Sequence, residues 1–153
     1  MSVSTVASSL ISAVAQKLGV TPEHSEEDHL SIFSFEEIDI LVAHEGEAII
    51  LSARIGTVPA DRPELVEALL SANLYWQETA GATLSLEPFS RAALIARRIA
   101  TVELNGPEDL ETALDEFGRA AITWTRTLDI LSTNAGATDP PPTAEKGFLA
   151  SRV

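Results

Sequence analysis

The side chains best suited to chemistry in this 153-residue chain are His24, His29 and His44 and the acidic runs Glu26-Glu27-Asp28 and Glu36-Glu37. A transition-metal site needs imidazoles or thiolates at turn or helical spacing. These histidines stand at no such spacing, and the chain has no cysteine, so solvated imidazole is the reading over metal ligand. The acidic runs could be imagined as acid/base dyads or as a calcium loop. Neighbouring positions of an extended chain point to opposite faces, however, and no EF-hand ladder of ligands follows, so both runs read as solvated charge. Phosphate-cradling, dinucleotide-binding and nucleophile-elbow motifs are absent. An enzyme working with a carboxylate pair in a cleft is the competing class, but no convergent acid, base and orienting group can be assembled for it. The residues point to a binding protein with no cofactor.

Ten Lys and Arg against 23 Asp and Glu give a formal net charge of -13, which repels nucleic acid and anionic membrane. The nearest basic cluster, Arg91, Arg97 and Arg98, falls on one predicted strand as outward-facing charge. The missing cysteines rule out a disulfide framework and agree with a reducing compartment. The N-terminal MSVSTVASSL has no basic n-region, and no apolar run approaches the roughly 20 residues a membrane span needs, so the expectation is a cytoplasmic protein.

Asp61 to Glu87, DRPELVEALLSANLYWQETAGATLSLE, organises the rest of the chain. Asp61 as N-cap, Pro63 in the first turn and Glu64 as capping-box partner predict a helix to Trp76, stopped by Ala80-Gly81. Its stripe of Leu65, Val66, Leu69, Leu70, Asn73 and Leu74 is too wide for one neighbour. Asn73 within it is either a buried amide pairing a neighbouring backbone group or a register-setting residue between helices. Ala82, Leu84 and Leu86 then alternate with Thr83, Ser85 and Glu87 as in a half-buried strand.

Before this stretch, Val6, Leu10, Val14 and Leu18 recur every four residues and predict a first helix ended by Gly19; Thr21 to Asp28 reads as a loop. Strands are predicted over Leu30 to Phe35, Ile38 to Ala43 and Glu47 to Ile55, the last two joined at His44-Glu45-Gly46. In the first of them Leu30 and Ile32 are taken as the core face, leaving Phe33 and Phe35 outside; Leu41 and Ile50 also face away from the core. A sheet apolar on both sides needs two covers, and the chain's helices supply one. Ala92 to Ala100 is a fifth strand. Asn105 caps a last helix with the seam Leu110, Leu114, Phe117, Ala121, Trp124, Leu128 and Leu131. The predicted class is α+β, in the order α-β-β-β-α-β-β-α, with a twisted antiparallel sheet in one domain, 1–131. Residues 132–153, with Pro140-Pro141-Pro142 and two glycines, are expected to be a flexible tail.

The run LLSANLYWQETAGATLSLE, with Leu-Leu-x-Ala-Asn-Leu at 69–74 and Gly81-Ala-Thr-Leu-Ser-Leu86, resembles the class I type III secretion chaperones, the Tir-chaperone (CesT-like) family, over Leu30 to Leu131. That resemblance implies a homodimer in the cytoplasm of a Gram-negative bacterium. Such a dimer holds the N-terminal segment of one or a few secreted effectors extended, without ATP, until the export apparatus and its secretion ATPase take over. It further implies dimer contacts from Val66, Leu70, Asn73, Leu74, Trp76 and Leu84, and effector contacts from Val6, Leu10, Val14, Ile32, Phe33, Phe35, Leu41 and Ile50. A regulator or adaptor of the same fold, with no exported client, is the alternative.

Overall fold

Apolar residues at helical spacing wind Val3–Leu18 into α1, which ends where Gly19 turns to φ 67°. The computed structural model describes residues 3–21, 23–25 and 30–134. Strands β1 (Glu23–Ser25), β2 (Leu30–Ser34), β3 (Asp39–Glu45) and β4 (Ala48–Thr57) follow, then α2 (Pro63–Ala72), β5 (Thr83–Leu86), β6 (Ala92–Ala100) and α3 (Pro107–Thr133). All neighbouring strands pair antiparallel in one sheet, ordered β1-β2-β3-β4-β6-β5. The expected order holds, with a correction: β1 lies inside the segment read as a loop.

Register assigns each side chain to a face. Phe33 pairs with Ile40, Val42 with Leu51, Ile49 with Ile99, and Ala53 with Ile95 and so with Leu84. All of these are buried, Phe33, Val42, Ile49, Leu51 and Ile95 completely, because α1 and α3 lie against them. From α1 come Ala7, Ile11, Val14 and Ala15; from α3, every seam residue from Leu110 to Leu128 is buried and Leu131 partly so. The Trp124 indole N-H donates to the Glu78 carbonyl at 3.0 Å, which satisfies the polar end of this core aromatic.

Several local expectations change. Asp61 does not cap α2; Arg62 stands at that position, and its guanidinium instead donates at 3.2 Å to each of the Leu131 and Ser132 carbonyls at the end of α3. Asn105 does not cap α3 either. Gly106 holds the cap position, and the Asn105 backbone and side-chain N-H groups both donate to the Asp109 carboxylate. Because α3 continues through Thr133, the expected domain end at Leu131 falls inside a helix, while residues 135–153 of the expected tail lie outside the described residues.

Strand β4 shifts register between Arg54 and Gly56, and a Cβ at Gly56 would sit 2.7 Å from Leu128 Cδ2. This glycine lets α3 approach the sheet. Gly56→Ala should therefore lower stability by about 1–3 kcal/mol in urea unfolding, the usual range for overpacking. A midpoint equal to wild type would show that Leu128 can yield.

Candidate docking surfaces

The helices all pack on one side of the sheet, so the other side is built from the remaining strand positions. One cross-strand row runs Ile32, Leu41, Ser52, Ala96, Thr83; a second runs Leu30, Ala43, Ile50, Arg98. None of these side chains is buried. The aliphatic ones are only partly covered, which leaves an apolar strip framed by Arg98 and, at the register shift, Arg54. Among the described residues this face has no side chain poised for reaction. It can bind an extended apolar segment laid across the strands.

Ile32, Leu41 and Ile50 thus stand on the uncovered face. Phe33 does not. It is 0% exposed on the helix side, so the predicted parity of its strand is inverted: Phe33 is core, and Leu30 and Ile32 face outward. Val14 is likewise wholly buried beneath α1, whereas Leu10 is partly buried and Val6 is 44% exposed on the helix surface. Phe35, just past the end of β2, is 38% exposed and lines a groove of about 650 Å³ with Leu18, Ile38 and Ile122, rimmed by the ion pair of Lys17 with Glu111 at 2.6 Å.

A second surface lies along α2. The helix stops at Ala72, short of the predicted Trp76, and a 3-10 turn carries Leu74–Trp76 with Tyr75 at φ 59° and Trp76 at φ 55°. Left-handed backbone at two aromatic residues is unfavourable by about 1–2 kcal/mol each. The turn presents them outward: Tyr75 is 60% and Trp76 54% exposed, beside Leu74 at 47% and Leu70 at 67%, with Val66 partly buried. Leu84 is buried in its own chain's core, which corrects its expected place in a dimer contact. Asn73 follows the first of its two readings. Its side-chain N-H donates to the Leu84 carbonyl at 2.9 Å and its oxygen accepts from the Leu84 N-H at 2.8 Å.

Among the described residues no group of three His, Cys, Asp or Glu side chains is placed to hold a metal ion, and no helix is long and apolar enough to cross a membrane. Leu30, Ala43, Leu94 and Ala96 on the open face escaped the sequence reading, while Tyr75, which with Trp76 reads from sequence equally as core filler or as interface anchor, is exposed on the α2 face. For Leu30 the signal was present and read with the wrong parity; Leu94 and Ala96 sit in a strand apolar on both sides, where alternation gives no contrast.

The family model of the Tir chaperone protein (CesT) family matches residues 9–125. A Tir chaperone of Escherichia coli O111:H- is 28% identical over 108 residues, 69% of either chain. A chain of the ExsC-ExsE complex superposes with a TM-score of 0.69 at 19% identity, over 84% of this chain and 97% of its own. A chain of the HopA1-SchA chaperone-effector complex does so with a TM-score of 0.63 at 16% identity, over 82% and 94%. At such identities these two likenesses speak for the fold.

Proposed function

We propose, from the premise that the chain belongs to the Tir chaperone protein (CesT) family, that it is a type III secretion chaperone of the bacterial cytoplasm. It binds the N-terminal segment of one or a few effectors and keeps that segment extended for export. The observation that carries this reading is the sheet face left open by the helices, with Leu30, Ile32, Leu41 and Ile50 in adjacent cross-strand rows. An extended client loses conformational freedom on binding, and a row of apolar anchors offsets that cost where one deep pocket could not. Folding of the client is not required and no nucleotide enters the cycle. The chain acts as a homodimer, joined through the exposed apolar residues of α2 and the turn after it.

Leu41→Thr with Ile50→Thr tests the reading, since threonine keeps strand propensity while removing aliphatic surface. Co-purification from native cells should recover one or a few proteins with the wild type, bound through their N-terminal segments. The double variant should melt near the wild type and bind such a segment at least about tenfold more weakly, each lost aliphatic contact contributing about 1 kcal/mol or more. Undiminished binding, or clients held through a folded domain, would put the site elsewhere.

A further inference from the structure

β5 is the outer strand of the sheet at one edge, and an outer strand ordinarily leaves alternate backbone N-H and C=O groups open to another strand. The Glu87 N-H donates to the Ala92 carbonyl at 2.8 Å, so by the alternation of an antiparallel ladder Ser85 and Thr83 also pair toward β6, and Leu86, Leu84 and Ala82 point their backbone groups away from the sheet. Two of these three are already taken from within the chain. Asn73 holds both the N-H and the C=O of Leu84. The Ala82 N-H donates to the Thr79 carbonyl at 3.1 Å, while the Thr79 hydroxyl donates to the Ala82 carbonyl at 2.5 Å. Thr79 is wholly buried, and Asn73 stands at the C-cap of α2, directly beside the edge.

We propose that Asn73 and Thr79 form a lock on the β5 edge that decides how partners meet this side of the molecule. With Ala82 and Leu84 occupied, neither a client segment nor a second copy extends the sheet past β5. The second copy, whose place on the α2 face rests on the dimer reading above, is held by side chains such as Leu70 and Trp76. Edge pairing is confined to the β1 side. The lock itself belongs to one chain and does not depend on dimerisation.

Amide exchange followed by NMR tests it in the wild type and in the Leu70→Asp background. The Leu84 amide should exchange at least about tenfold more slowly than that of Leu86, the outward position neither side chain reaches, in both backgrounds. Asn73→Ala should bring Leu84 to the rate of Leu86, leave Thr83 and Ser85 unchanged, and produce assemblies larger than those of its parent by light scattering. Asn73→Ser, too short to bridge both Leu84 groups, is the second variant should the alanine fail to fold. Equal rates for Leu84 and Leu86 in the wild type, an opened Leu84 without larger assemblies, or loss of folding in both variants would each overturn the lock. A monomeric wild type would remove the dimer reading alone, since Leu84 protection is read in the monomer as well.

Discussion

Phe33→Ser should destabilise the protein by about 3–5 kcal/mol, enough to unfold much of a domain of ordinary stability. The ring is 0% exposed, pairs in register with Ile40 and lies under the helices, so truncation leaves a cavity and places a hydroxyl in apolar surroundings. Ile32→Ser, one residue away on the open face, should cost about 1 kcal/mol or less, because little of its surroundings is lost. Urea unfolding of the two variants side by side reads the difference. A Phe33→Ser protein within about 1 kcal/mol of wild type would mean that β2 presents its other face to the helices, and the open face described above would then be misassigned.

Leu70→Asp should leave the fold of the single chain intact and break the proposed dimer. At 67% exposure Leu70 contributes little to its own core, so the melting of the isolated chain should hardly move. In a symmetric contact the substitution appears twice, and an unpaired carboxylate buried there costs about 3–5 kcal/mol, which weakens association by roughly 100-fold or more. Light scattering across a dilution series is the measurement. The expected result is a wild-type dimer at micromolar concentration and a folded Leu70→Asp monomer. A wild-type monomer, or an undiminished dimer in the variant, would remove α2 from the contact.

Much of this protein is legible in its sequence because its signals are periodic. The seam from Leu110 to Leu128 and the alternation of Ala82, Leu84 and Leu86 follow from geometry that one element carries within itself, and both emerge as expected. The absence of motifs for nucleotide, thiol or metal chemistry needed no structure, and neither did the charge of -13. What only the tertiary structure decided is which side of an element faces in. In β2, Leu30 and Ile32 on one face and Phe33 on the other are equally apolar, so alternation alone leaves two answers, and the packing of α1 and α3 selects the one that buries the larger ring. The end of α2 was hidden for a related reason. Residues 73–76 carry a helical pattern, but Asn73 commits its side chain to both backbone groups of Leu84 on the sheet edge, and the backbone leaves helical geometry at Tyr75, φ 59°; neither pairing is visible in the pattern of one element.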